Sequence, residues 1–217
     1  MTLENKLVIT DSAELARVEE KISKAKALEL FETGLLDAFE VGTFVGLSEM
    51  HKYLFEEIYD CAGKMRDANI KKGSFRFASI IYLKDALDNI AKMPQSTFDE
   101  IIEKYVEMNV AHPFREGNGR SARIWLDSML KKQLQLVVDW SKVDKDDYLL
   151  AMERSPVKDV EIKLLLKAAL TDRINDRELF MKGIDASYHY EGYNVYKTEN
   201  LNTDGKSRAA AMFDHPC

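Results

Sequence analysis

The residues best placed to do chemistry lie between Ala111 and Arg123, AHPFREGNGRSAR, where one histidine, one acid, an asparagine between two glycines and three arginines fall together. Pro113 fixes its own φ and biases His112 away from helix, so an incoming helix is expected to end near Ala111. Gly117, Asn118 and Gly119 can turn the chain so that successive N–H groups point into one concavity. Beyond them Ala122, Trp125, Leu126, Met129, Leu130, Gln133 and Leu134 recur at helical spacing, which predicts a second helix with one buried stripe. The start of that helix offers unpaired N–H groups and a partial positive charge, which suits a phosphate. Arg120 and Arg123 share a face of its first turn. Positive side chains there are electrostatically misplaced unless an anion answers them. The anion expected is a polyphosphate with a divalent cation, for which Glu116 is the nearest hard oxygen ligand. His112, at the opposite lip, can take a proton near neutral pH. Arg115 reads as solvated or substrate-facing.

The run from His112 to Arg123 resembles the Fic (filamentation induced by cyclic AMP) motif, HxFx(D/E)GNGRxxR, and matches each of its positions. The resemblance implies a protein adenylyltransferase. Such an enzyme moves AMP from ATP onto a Tyr, Thr or Ser hydroxyl of a target protein and releases pyrophosphate. It implies His112 as general base, Phe114 as apolar anchor of the loop and Glu116 as ligand of Mg²⁺ or another divalent cation. Gly117, Asn118 and Gly119 would form the phosphate nest, with the Asn118 side chain on the α-phosphate. Arg120 and Arg123 would hold the β- and γ-phosphates. The fold implied is all-α, with one short β-hairpin acting as a flap over the site.

The elements that must position these groups can be read along the chain. Leu15, Val18, Ile22, Ala25 and Leu28 predict a helix from Asp11 to about Phe31, capped by Asp11 or Ser12 and ended by Gly34. A second helix is expected over Thr43 to Cys61, with His51 as a helix-surface or packing residue. Between Gly63 and Ala78 the period changes, and Gly73 beside Lys71 and Lys72 signals a hairpin over about residues 64–78. A lone hairpin is marginally stable. In the resemblance it is the flap, whose edge pairs with a target segment through Ile70, Lys71, Lys72, Phe75, Arg76 and Phe77. Helices follow over Ser79 to Met93, from Ser96 or Thr97 to the motif, Asp144 to Arg154 and Val157 to Leu170. Trp140 reads as core.

The segment Ser187-Tyr188-His189-Tyr190-Glu191-Gly192 resembles the inhibitory motif (S/T)xxxE(G/N) of Fic proteins, in the single-domain subgroup that carries its inhibitory helix at the C-terminus. That implies an inhibitory segment over about residues 184–193. Glu191 would pair with Arg123 in the space the γ-phosphate needs, and Ser187 would cap or tether the helix. Tyr188 becomes a candidate for self-modification. Residues 1–195 are expected to form one domain, and 196–217 a flexible tail.

The 217 residues are 46% hydrophobic and 31% charged, a composition of globular proteins, and the net charge of −6 disfavours general nucleic-acid binding. Cys61 and Cys217 are too few for a disulfide framework or a zinc site. Neither a secretory leader nor a membrane span is evident, so the cytoplasm is the expected compartment. The expected partners are ATP and an intracellular target protein, with type II topoisomerases known targets of some related members. A homo-oligomer could steady the inhibitory helix. Two other readings stay open: removal of AMP from modified targets, with Glu191 orienting water, and a nucleotide-responsive binding or toxin–antitoxin module without catalysis.

Overall fold

The computed structural model describes residues 2–73 and 75–201. Among them eight α-helices carry the fold: α1 (Ser12–Glu32), α2 (Phe44–Phe55), α3 (Ile80–Lys92), α4 (Phe98–Ala111), α5 (Asn118–Leu134), α6 (Lys145–Arg154), α7 (Val160–Ala168) and α8 (Arg177–Tyr190). The all-α expectation holds. Side-chain caps start several of them at the positions where orphan N–H groups need acceptors: Asp11 accepts from Glu14, Asp144 from Asp146 and Asp147, and Asp176 from Leu179. Thr97 and Glu100 cap each other reciprocally at the head of α4.

The helix after the motif is the hub. α5 packs on α4, α2 and α8, and α1 crosses both α2 and α8. Trp125, Leu126, Met129 and Leu130 are fully buried on α5. Gln133, which spacing places on the same stripe, is exposed, because burial stops with the last turn, where Lys132 also faces solvent.

Three boundaries differ from expectation. α2 stops at Phe55 instead of running to Cys61; Ile58 and Tyr59 are buried all the same, in turns whose N–H groups bond back to Phe55 O. The helix expected from Val157 begins at Val160, and Val157 is 96% exposed. Its other end, Leu170, has left the helix for an antiparallel pair of β3 (Val137–Val138) with β4 (Leu170–Thr171). A two-residue strand carries no alternation to read, so an apolar run hides it.

The hairpin expected over 64–78 forms with minimal strands, β1 (Lys71–Lys72) and β2 (Phe75–Arg76), in the register Lys71 to Arg76 and Lys72 to Phe75.

The tail expected over 196–217 is corrected for residues 196–201. Glu20 accepts from the backbone of Val195 and Tyr196, Lys24 Nζ donates to Tyr196 O at 2.7 Å, and Thr198 and Leu201 are buried. The rest of that expectation, 202–217, lies outside the described residues. No helix among the described residues is long and apolar enough to cross a membrane.

Candidate active site

α4 ends at Ala111, and His112 caps it in the left-handed region at φ 48°, its N–H bonded to Met108 O. The His112 Nδ1 lies 3.3 Å from Asn109 O. A carbonyl only accepts, so this contact puts the proton on Nδ1 and leaves Nε2 as the basic nitrogen. Phe114 drops into the core and stacks on His51 at 3.8 Å between ring centroids. Asn118 closes the loop: its Oδ1 accepts from Phe114 N and its Nδ2 donates to Phe114 O, both at 2.8 Å. The side chain expected on the α-phosphate is therefore committed to the loop's own backbone. Gly117 stands at φ 72°, where an added Cβ would lie 2.5 Å from the Phe55 ring. Only glycine satisfies both demands.

His51 holds this loop from α2. Its Nδ1 accepts from Gly63 N at 2.9 Å, so Nε2 donates to Glu116 O at 2.8 Å. Burial holds its pKa down at about 3, and the ring stays neutral.

The anion that the two arginines of α5 require is supplied by the chain's own carboxylates. Arg120 pairs with Glu19 of α1, with Glu116 at 2.9 Å and with Glu191 at 2.8 Å. It is 1% exposed, surrounded by the rings of Phe55, Tyr188 and Tyr193, and does not line the cleft. The expectation that it faces the phosphates directly is corrected to this buried position. Arg123 does face the cleft. Its Nη2 lies 2.7 Å from Glu191 Oε1, its Nε donates to Ser187 Oγ at 2.6 Å, and Tyr148 and Tyr190 flank the guanidinium. Gly119 makes room for this: an added Cβ would lie 2.3 Å from Glu191 Oε1. Glu191 follows the last turn of α8, and Gly192 bonds back to His189 O.

These groups surround one cleft of about 800 Å³. His112, Glu116, Gly117, Asn118, Gly119 and Arg123 line it, together with Tyr148, Leu149 and Met152 of α6 and with Glu191 and Tyr193. From the flap, Ile70, Lys71, Phe75 and Phe77 line it, whereas Arg76 is exposed outside it and Lys72 is described by its backbone pairing alone. The Phe77 ring stacks on His112 at 3.6 Å. Tyr188 does not line the cleft and is buried against Lys24 and Arg120.

Glu116 fits a hard cation in part. Its side chain is 43% exposed and its two contacts, from Gly117 N and Arg120 Nη2, fall on Oε1. Oε2 is the oxygen left for a cation, and one carboxylate plus phosphate oxygens is an ordinary Mg²⁺ donor set. Burial raises the Glu116 pKa, against the pull of Arg120. Among the described residues no cluster of three His, Cys, Asp or Glu could hold a metal unaided.

Sequence reasoning missed Glu19, Arg66, Tyr148 and Tyr193, and read His51 as a surface or packing residue without its tie to the loop. A signal existed for Glu19, an acid one helical turn after Leu15 on a stripe that is otherwise buried.

A family model described as Fic/DOC family matches residues 43–130. The chain is 30% identical over 165 residues to y4lH of Sinorhizobium fredii, named a probable protein adenylyltransferase; the match covers 70% of this chain and 82% of that protein. It is 28% identical over 216 residues to the protein adenylyltransferase VbhT of Bartonella schoenbuchensis, covering 88% of this chain and 44% of VbhT. The chain thus spans less than half the length of that relative. The BepC effector of Bartonella tribocorum, solved with bound AMPPNP, matches with a TM-score of 0.66 at 19% identity, over 79% of this chain and 93% of that one. This last likeness concerns the fold alone.

Proposed function

As the chain belongs to the Fic/DOC family, we propose that it transfers AMP from ATP to a hydroxyl of a target protein and restrains itself through Glu191. The observation that carries this reading is one cleft shared by His112, Glu116 and the first turn of α5, with Glu191 paired to Arg123 in its lining. In the reaction the target oxygen bonds to the α-phosphorus, the bond to the β-phosphate oxygen breaks, and pyrophosphate leaves. His112 Nε2 takes the hydroxyl proton. The amides of Asn118 and Gly119 at the start of α5 stabilise the phosphate charge, and Arg123 fixes the polyphosphate pose. A divalent cation on Glu116, Mg²⁺ for instance, would offset charge on the leaving pyrophosphate. Arg120 acts from behind by orienting Glu116.

Glu191 competes with ATP for Arg123. A bias of about 2.7 kcal/mol would hold activity near about one per cent. The target is proposed to be an intracellular protein, with type II topoisomerases candidates by family resemblance, and the compartment the cytoplasm. A homo-oligomer would steady α8.

The test compares wild type, Glu191→Gly, and Glu191→Gly with His112→Ala for transfer of AMP labelled at the α-phosphate to the chain itself and to lysate proteins. Labelling should rise in the single variant and vanish in the double. A silent Glu191→Gly protein that still binds ATP would overturn the brake. Because Glu191 lines the same cleft as His112, removal of AMP from premodified protein is the second reading, tested by release of labelled AMP from such a substrate.

A further inference from the structure

Arg66 is 2% exposed, and among the described residues no carboxylate pairs with it. A buried guanidinium without a counter-charge is costly unless its donors are satisfied. Here they are, by backbone carbonyls from two parts of the chain. Nε donates to His112 O at 2.8 Å and Nη2 to Ala111 O at 3.2 Å, both at the end of α4. Nη1 donates to Ala68 O at 2.7 Å, and Nη2 also to Ala78 O, at the two roots of the flap. The Arg66 N–H donates to Pro113 O at 2.7 Å, and Ala78 N–H to Val110 O at 3.0 Å. Asn69 Oδ1 joins the roots to each other by accepting from Ile80 N at 2.9 Å.

We propose that Arg66 is a positioning residue that sets the proposed catalytic base by pinning both flap roots to the left-handed turn at His112. The pin holds the Phe77 ring 3.6 Å from the His112 ring, with 19° between their planes. Two strands of two residues cannot hold that ring in register alone. The backbone at His112 has also left the helical region, and the carbonyl accepting from Arg66 Nε belongs to that residue. One planar fork thus couples the orientation of the base to the position of the flap. Lysine cannot replace it, since an ammonium presents its donors from one point.

The inference rests on the adenylyltransferase reading, and the experiment separates the two. In a Glu191→Gly parent, Arg66→Lys, Arg66→Gln and Phe77→Leu are compared for the rate of AMP self-labelling against ATP concentration. In the wild-type background, the ring protons of His112, assigned by their loss in His112→Ala, are followed by NMR for the upfield displacement that a stacked Phe77 imposes. The expected result is a fall of about 10–100-fold in maximal rate, with half-saturating ATP within about twofold of the parent. Phe77→Leu should lower the same parameter, and combining it with Arg66→Lys should add little. The displaced His112 signals should move toward ordinary positions in both Arg66 variants. Arg66 variants with an unchanged maximal rate, or with their loss confined to half-saturating ATP, would overturn the proposal. Retention of the displaced signals in Arg66→Lys would overturn it too. If both Arg66 variants fail to fold, Phe77→Leu decides, a normal maximal rate counting against the coupling. A parent without AMP transfer defeats the proposed function, while the NMR readout still decides the role of Arg66.

Discussion

Glu191 Oε1 lies 2.7 Å from Arg123 Nη2, while the Ser187 hydroxyl one turn back accepts from Arg123 Nε at 2.6 Å. Arg123 Nη2 also donates to the Ser187 carbonyl at 2.8 Å, so one guanidinium is held three times by one helix end, through one carboxylate and two neutral acceptors. The Glu191 carboxylate reaches over the first turn of α5, where Gly119 leaves space for it.

The two side-chain contacts should differ in strength, and activity should report this. Ser187→Ala removes one bond to a neutral acceptor and keeps the one to the Ser187 carbonyl, and should raise AMP transfer about three- to tenfold. Glu191→Gln keeps the shape but removes the charge, and Glu191→Gly removes both; these should raise it about ten- to hundredfold. Initial rates of labelling at one fixed ATP concentration check the order. A Ser187→Ala protein more active than Glu191→Gly would contradict it.

The helix end that carries Glu191 is strapped as well as paired. Lys24 of α1, 1% exposed, pairs with Glu20 and Asp185 at 3.0 Å each and donates to Tyr196 O, while Tyr193 Oη donates to Glu19 Oε1 at 3.0 Å. Lys24→Met leaves the buried Glu20 and the partly buried Asp185 without their cation. The segment after Glu191 should loosen, amide exchange over residues 191–198 should speed up, and AMP transfer should rise several-fold. Faster exchange with no change in transfer would separate the strap from the brake.

His51 should make the fold acid-sensitive. Unfolded, it titrates near 6.5; folded, burial holds it to about 3. Between those values the unfolded state binds the extra proton, so stability rises with pH across the window and is lost as pH falls through it. Urea denaturation at pH 7 and at about pH 5 should show a loss to which His51 contributes on the order of a few kcal/mol at most. In His51→Gln, which retains a donor and an acceptor, the loss should be smaller. Equal losses in the two proteins would rule His51 out as the source.

Gly117 should tolerate no side chain. At φ 72°, with a Cβ due 2.5 Å from the Phe55 ring, Gly117→Ala combines backbone strain with overpacking. A destabilisation of about 2–4 kcal/mol is expected in chemical denaturation. Gly34, also at positive φ but with nothing near its Cβ, serves as the control and should lose only about 1 kcal/mol on the same substitution.

What the sequence by itself determined is local. The Asp11 cap, the Gly34 stop, the hairpin at Gly73 and the break between Ala111 and Asn118 follow from φ restrictions and nearby donors, which act over a few residues. The motif and Glu191 with its spacing to Ser187 were legible because both are contiguous. Tertiary structure decided which charges meet. Glu19 reaches Arg120 across 101 positions of chain, and Arg66 gathers the carbonyls of Ala68, Ala78, Ala111 and His112. A carbonyl is present at every residue and leaves no mark of its partner in the sequence. Only packing α1, α2 and α8 against α5 turned Arg120 from an expected phosphate contact into a buried strut. Folding also brought the end of α4 and both flap roots to Arg66.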